Sequence, residues 1–147
     1  MARNVILIRG EAREEGGVAE NALTPGHLVE ISPSGTGTTQ RKRWQRHATA
    51  GGPAALIFVR SQHENQGGDI DDIVAAGDDV TVIFTELGAK VNCVTADTIV
   101  EGEWVESAGD GTVRVYGSGY RLGYAYNDSD LTETIGRVLI ITAPSGV

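Results

Sequence analysis

The sequence predicts an all-β fold, a compact β-barrel or β-sandwich with one short helix near residues 69–76. Between Ala75 and Arg114, runs of β-branched and aromatic residues alternate with Gly/Asp turns about every ten residues, which is typical of short paired strands. Twenty glycines in 147 residues supply many turns. Hydrophobic residues make up 40% of the chain, yet only two are tryptophan and two phenylalanine, so we expect a mainly aliphatic core.

The length is that of one domain, and the sequence shows no linker or internal repeat. We therefore predict a single β-rich domain over residues 1–147. The apolar run Val5–Arg9 is either its first strand or part of an extended N-terminal arm over residues 1–20. The segment Glu11–Glu20 carries four glutamates around a Gly-Gly pair, and we interpret it as a polar loop.

Several further segments have strand patterns, and Pro25-Gly26 suits the centre of a type II turn because Pro fixes φ and Gly supplies a positive φ. The strands predicted are Leu28–Ile31 paired with Thr38–Gln45, Leu56–Val59, Val80–Phe84, Lys90–Val94, the hairpin of Trp104–Ser107 with Thr112–Tyr116, Tyr120–Tyr126, and Arg137–Thr142.

The short helix is predicted from the spacing of Ile70, Ile73 and Val74, with aspartates in the first turn where they favour the helix dipole. Gly77 would end it. The aspartates lack the ligand order of an EF-hand, with its central Gly and final Glu, so we predict no calcium site.

Composition excludes several function classes. The net charge of −8 argues against general nucleic-acid binding, and no apolar run approaches the ~20 residues of a membrane-spanning helix. The four apolar residues before Arg9 are too few for a signal-peptide core. The single cysteine, Cys93, cannot form an internal disulfide, and its alternation with Val91 and Thr95 predicts a small core residue.

No catalytic constellation can be assembled from the sequence, so we predict that the protein is not an enzyme. A site made of Ser61, His63 and Asp71 would lack both a nucleophile elbow and an identifiable oxyanion donor. The Gly-rich segment 35–39 has no following Gly-Lys-Ser/Thr and is not a P-loop. We predict no cofactor and no metal.

The segment Gln40–His47 holds four cations and Trp44 within eight residues of an otherwise acidic chain. One interpretation is a contact surface for an acidic partner. The other is a solvated strand edge, where cations discourage edge-to-edge pairing.

The order of several short motifs resembles that of a known protein family. The motifs are Asn4–Ala12 followed by Ala22–Glu30, His47–Gly52 leading into Ala54–Val59, the acidic Gly68–Asp72, Ala76–Val80 and Glu106–Thr112. This layout, with its TPG turn, its HA–AGG motif and its GD–V strand opening, is similar to that of the head-decoration, or cement, proteins of tailed bacteriophages. The resemblance spans about Asn4 to Arg114 and includes no catalytic fingerprint.

The resemblance implies a protein that binds the outer surface of the mature head and stabilises the lattice of major capsid protein. It implies a homotrimer on the capsid exterior of the virion, made in the host cytoplasm. The apolar N-terminal run would either form the first strand or add a strand to a neighbouring edge. The residues that we assign to partner contacts are Val5, Ile6, Leu7, Ile8, Arg41, Arg43, Trp44 and Arg46.

A β-rich carbohydrate- or host-surface-binding module is the alternative function. It would use Trp44, Trp104 and Tyr120 as stacking platforms, and exposed, coplanar aromatic rings would favour it. The decoration function predicts buried aromatics and a flat oligomer face. The sequence leaves open whether Tyr120, Tyr124 and Tyr126 pack in the core or form a subunit interface.

Overall fold

A computed structural model describes residues 6–10, 12–33, 42–60 and 70–143. This part of the chain forms eleven β-strands and contains no helix. The strands are β1 (Leu7–Arg9), β2 (Ala12–Ala19), β3 (Leu28–Ile31), β4 (Arg43–Arg46), β5 (Ile57–Val59), β6 (Asp79–Thr85), β7 (Lys90–Val94), β8 (Trp104–Ser107), β9 (Val113–Val115), β10 (Gly123–Ala125) and β11 (Arg137–Thr142).

The strands form two sheets, which confirms the predicted all-β class. A closed five-stranded barrel has the order β2-β4-β3-β5-β6, and a six-stranded sheet has the order β1-β7-β11-β10-β8-β9. The barrel therefore comes from the first half of the chain, and the sheet combines the second half with β1. Most neighbours are antiparallel, and β2 with β4 is a parallel pair.

The barrel has its own apolar core, in which Trp44 is the largest side chain. Its indole ring packs edge-on against Phe84, with 5.9 Å between ring centroids. A Cβ atom on Gly17 would lie 2.6 Å from Cδ1 of Trp44, so the ring packs directly on the backbone of β2. The remaining members of this cluster are Ala19, Leu23, Val29, Ile57, Val59, Val74, Val80 and Val82.

A second apolar core lies between the barrel and the sheet. The barrel contributes Leu28, Phe58 and Ile83, and the sheet contributes inward-facing residues of β7, β8, β9, β10 and β11. Cys93 is a fully buried member of this cluster, as predicted. Burial raises the pKa of its thiol far above the ordinary value, which keeps the sulfur protonated and unreactive.

The predicted turn at Pro25-Gly26 connects the two halves. The amide of His27 donates to the carbonyl of Thr24 over 2.9 Å, and Gly26 has a φ of 94°, as a type II turn requires. Arg137, at the start of β11, reaches the turn from the other sheet and donates to the Pro25 carbonyl over 2.8 Å. It also donates to the Ile70 carbonyl and to the carboxylate of Asp71, both over 2.9 Å.

The short helix predicted near residues 69–76 is wrong for the described residues 70–76. Ile70-Asp71 forms a turn, and Val74 makes a two-way backbone bridge with Leu23, at 2.8 and 2.9 Å. Ile70 packs in the core between the sheets, Val74 packs in the barrel core, and Ile73 is 61% exposed. The three apolar residues therefore do not form one face, which a helix would need.

The polar loop predicted for Glu11–Glu20 is also wrong, because Ala12–Ala19 is the strand β2. It pairs with β6 in an unbroken antiparallel register from Ala12↔Thr85 to Val18↔Asp79. Residues 13–16 are exposed, so backbone hydrogen bonds rather than apolar burial hold this end of the strand.

The apolar N-terminal run is part of this chain's own sheet from residue 6 onward. Ile6 is fully buried in the core between the sheets, and β1 pairs with β7, from Leu7↔Val91 to Arg9↔Lys90. The first-strand interpretation therefore holds for residues 6–9, and β2 lies within the barrel. The extended arm over residues 1–20 is not found in residues 6–10 and 12–20, and residues 1–5 lie outside the described part.

Candidate interaction surface

In the described part of the basic segment, Arg43–Arg46 form the barrel strand β4, and their side chains do not make one exposed basic patch. Arg43 makes an ion pair with Glu20 at 3.1 Å, and the backbone amide of Arg46 donates to Asn21. Trp44 is 1% exposed, so the prediction that its ring contacts a partner is corrected: the ring fills the barrel. Arg41 lies outside the described residues.

The apolar part of the predicted contact set lies apart from these residues, on β1 at the edge of the six-stranded sheet. Buried Ile6 cannot present its side chain to a partner, which corrects that prediction as well. Leu7 and Ile8 are half-buried, and Leu7 packs against the core. Val5 lies outside the described residues. For Leu7, Ile8, Arg43 and Arg46, a partner contact stays a prediction.

A different surface stands out, on the outer face of the six-stranded sheet. Strand register aligns one residue from each of four neighbouring strands: Lys90 pairs with Ile141, Ile141 with Tyr124, and Tyr124 with Trp104. Tyr116, directly after β9, donates its amide to the Trp104 carbonyl over 2.8 Å and completes the line. We call these five residues the aromatic row. Four strand spacings make it about 19 Å long.

The rings of the row contact each other and a cation. Trp104 and Tyr124 meet edge to face, with 5.5 Å between centroids and 68° between planes. The guanidinium of Arg121 lies 4.9 Å from the centroids of both Trp104 and Tyr116, so it bridges these two rings. Trp104 is 36% exposed and Tyr124 37% exposed. The row is therefore accessible, and its side chains are already held in place.

A second cation extends the pattern to the next line of residues. The ammonium of Lys90 lies 3.6 Å from the centroid of Tyr126, whose amide donates to the Leu139 carbonyl on β11. Tyr124 and Tyr126 thus lie on the outer face together, whereas Tyr120 lies in the loop before β10 and donates its amide to the Gly51 carbonyl. All three tyrosines are exposed, so none of them packs in the core, and a subunit interface at these residues stays a prediction.

Beside the row, a shallow pocket collects acidic side chains. It is lined by Asp71, Asp128, Asp130 and Glu133, together with Arg137. Hydrogen bonds from the hydroxyl and amide of Thr132 hold the pKa of Asp130 below its ordinary value. In the described ranges, no group of three or more His, Cys, Asp or Glu side chains is arranged to hold a metal ion.

One buried pair has the composition of a catalytic dyad. Nδ1 of His47 lies 2.7 Å from the hydroxyl of Ser107, and Nε2 lies 2.9 Å from the Pro53 carbonyl. Because a carbonyl only accepts, Nε2 carries the proton and Nδ1 accepts from the hydroxyl. Ser107 is fully buried, so its hydroxyl is closed to a substrate and the pair ties β8 to the segment after β4. Of the triad weighed from the sequence, Ser61 and His63 lie outside the described residues.

The aromatic row has the chemistry of a protein contact surface: flat aromatic area, an aliphatic residue and cations held at the rings. The sequence signal was the alternation of Tyr124 and Tyr126, but assembling the row required the register of β8, β10 and β11. In the described residues, no helix is long and apolar enough to cross a membrane.

The sequence matches no protein-family model and no curated protein. Among solved structures, the fold is similar to that of the N base of head fiber gp8.5 in bacteriophage phi29, with a TM-score of 0.58. The two sequences are 14% identical, and the superposition covers 90% of this chain and 98% of that chain. The fold of this chain is therefore similar to that of a phage head-fiber base.

Proposed function

We propose that the protein is a structural component of a phage head, a decoration or cement protein that binds the outer surface of the mature capsid. One observation supports this proposal most strongly: the fold similarity extends over almost the whole of a head-fiber base and nine-tenths of this chain. The order of the sequence motifs between Asn4 and Arg114 points to the same class of protein.

The proposed mechanism is thermodynamic linkage. A protein that binds the mature lattice, and not the unexpanded one, stabilises the mature lattice by its binding free energy. No chemical step is needed, so we propose a non-enzymatic role on the virion exterior, with the major capsid protein as partner. The family resemblance further suggests a homotrimer, which sedimentation velocity of the purified protein would measure.

Co-sedimentation tests the proposal directly. Purified protein is mixed separately with mature heads and with unexpanded proheads of the phage that encodes it, and bound protein is quantified across a titration. We expect saturable binding to mature heads alone, at a fixed ratio to capsid subunits. Absence of binding to both particles would refute the capsid role.

Among the described residues, Trp104, Tyr120, Tyr124 and Tyr126 are exposed, which corrects the expectation that a decoration protein buries its aromatics. The carbohydrate-binding alternative draws support from the exposure of Trp104 and Tyr120. The ring geometry opposes it. Arg121 stacks over Trp104, and Tyr124 stands at 68° to it, so the row offers no coplanar platform for a chain of sugars. Trp44, the third predicted platform, is buried. Binding to host surface glycans, measured by calorimetry, would revive this alternative if heads bind nothing.

A further inference from the structure

We infer that the aromatic row, with Arg121, is the surface by which the protein docks on the capsid, and that it fits an acidic, partly apolar patch of the major capsid protein. This inference rests on the proposed function and deepens it by assigning the contact surface. It adds a candidate contact surface to the basic residues of β4, for which a partner contact stays a prediction.

The first argument is the distribution of exposed aromatic side chains. In the described part of the chain, the exposed aromatics are Trp104, Tyr120, Tyr124 and Tyr126, and all come from β8, from β10 or from the residues that flank β10. Ile31 and Ile73, the exposed large hydrophobic residues in the described part of the barrel, are aliphatic. Trp and Tyr concentrate where proteins bind other proteins, because they bury much area and lose little rotamer entropy.

The second argument is charge. The chain has a net charge of −8, and exposed acids such as Glu14, Glu15 and Asp79 lie on β2 and β6 of the barrel. The aromatic row, by contrast, consists of a cation, an aliphatic residue and three aromatics, with Arg121 over two of the rings. Lys90 and Arg121 make the row itself complementary to an acidic partner, and this complementarity is confined to the row, because Asp128, Asp130 and Glu133 line the pocket beside it.

The third argument is preorganisation. Arg121 is fixed between two rings, and Lys90 is fixed over a third, so these cations lose little freedom when a partner binds. The row is straight because it follows the cross-strand register, and at about 19 Å it reaches across several side chains of an opposing surface. Backbone hydrogen bonds hold four of the residues within strands and Tyr116 directly after β9, which keeps the surface rigid.

The test compares charge reversals at two surfaces. Arg121→Glu changes the row, and Arg13→Glu makes the same charge change at an exposed position on β2 of the barrel. In co-sedimentation with mature heads, we expect Arg121→Glu to raise Kd by about tenfold or more and Arg13→Glu to change it less than about twofold. Raising NaCl from about 0.05 M to about 0.5 M should weaken wild-type binding, because it screens the charge pairing.

The outcomes distinguish the inference from the proposed function. If wild-type protein binds heads and Arg121→Glu binds equally well, the docking surface lies elsewhere and the inference is overturned. If wild-type protein binds no heads, the proposed capsid role is refuted, and the inference about its docking surface falls with it. If Arg121→Glu instead dissociates an oligomer of the free protein in sedimentation velocity, the row joins copies of this chain, which also overturns the inference.

A second variant guards against misfolding. Tyr124→Ser removes aromatic area without changing charge, and circular dichroism with thermal unfolding checks that both variants keep the wild-type fold. We expect Tyr124→Ser to weaken head binding at every salt concentration while leaving the salt dependence unchanged. Unchanged affinity in folded Tyr124→Ser would count against the row.

Discussion

At the scale of single residues, Gly17 and Trp44 fit closely together inside the barrel. The indole lies against the backbone of β2, in the space that any side chain at position 17 would need. The Gly-Gly pair in a polar segment suggested a loop, but one of these glycines serves a packing role in a strand. The sequence could not reveal this role, because Trp44 lies on another strand and meets β2 only after the barrel closes.

Gly17→Ala should therefore destabilise the barrel, by about 1–3 kcal/mol, the usual cost of overpacking. Urea unfolding monitored by circular dichroism measures the free energy of unfolding. Gly16→Ala is the matched control, because Gly16 is the exposed neighbour on the same strand. Equal stability of the two variants would show that the ring can move away from β2.

His27 makes folding sensitive to pH. Burial, with a smaller contribution from the charge of Arg46, lowers the pKa of His27 from 6.5 to about 4. The amide of Thr24 donates to its Nδ1 over 3.0 Å, which also requires a neutral ring. Between pH 6.5 and about 4, the unfolded chain binds a proton that the folded chain does not, so stability falls as pH falls through this window.

His27→Asn should flatten this pH dependence, because asparagine offers an acceptor to the Thr24 amide and does not titrate. Relative to wild type, the loss of unfolding free energy between pH 7 and pH 4 should shrink by about 3 kcal/mol at most. Urea unfolding at several pH values is the measurement. Parallel curves for variant and wild type would exclude His27 as the titrating group.

At the scale of elements, the carboxylate of Glu106 fixes the loop that leads from β9 toward β10. It accepts from the amides of Gly117 and Ser118, and Arg114 lies 3.3 Å away. Burial opposes its ionisation, but the Gly117 amide and Arg114 outweigh burial and keep its pKa below the ordinary value. Its stabilising effect is thus complete above the ordinary pKa of a glutamate and is lost as pH falls through the lowered one.

Glu106→Gln should loosen this loop without unfolding the sheet, because an amide accepts these hydrogen bonds less strongly than a carboxylate. Hydrogen exchange followed by NMR should show faster exchange at Gly117 and Ser118, with the amides of β11 unaffected. Glu103→Gln is the control, at an acid that accepts from the nearby Val100 amide and lies outside this loop. Unchanged protection at Gly117 would contradict the assignment.

The sequence predicted the strands whose own residues have a clear β-strand pattern. β6, β7, β11 and the β8–β9 hairpin are rich in β-branched residues and bounded by Gly/Asp turns, and all were predicted within about two residues. The two errors arose where long-range pairing overrides local pattern. β2 is polar and is held by its register with β6, and the predicted helix is divided between two cores.

At the scale of the whole molecule, Arg137 joins the two halves. One guanidinium from the six-stranded sheet binds the carbonyl of the Pro25-Gly26 turn, the Ile70 carbonyl and Asp71. The side chain is 7% exposed, so its hydrogen bonds form away from most of the solvent. Removing it would leave buried acceptors unpaired at the junction.

Arg137→Ala should lower the free energy of unfolding by about 3–5 kcal/mol, the range for breaking a buried ion pair. Arg43→Ala is the control, because the Arg43–Glu20 pair is half-exposed and should contribute less than about 1 kcal/mol. Calorimetry would also show whether the halves still unfold in one transition. A loss for Arg137→Ala no larger than for Arg43→Ala would argue against the junction.

The aromatic row was only partly predictable from the sequence, because it depends on the strand order of the whole sheet. The aromatic row takes residues from positions 90, 104, 116, 124 and 141, which are scattered over the second half of the chain. A local pattern shows Tyr124 and Tyr126, but only the strand order β7-β11-β10-β8-β9 aligns them with Trp104 and Lys90. In the described part of the basic segment, Trp44 packs in the barrel core and Arg43 forms an ion pair with Glu20 near the surface.

The placement of the two tryptophans gives the protein a pair of intrinsic optical probes. Trp44 is sealed in the barrel, and its Nε1 has no hydrogen-bond partner among the described residues, whereas Trp104 lies on the solvent-facing row. Acrylamide should quench the fluorescence of Trp104 and spare that of Trp44 until the barrel unfolds. A Trp44→Phe chain, which keeps an aromatic ring in the core and removes the orphan donor, would emit from the row alone. A partner that binds the aromatic row would then shift the emission wavelength of Trp104 and reduce its quenching by acrylamide, without an added label.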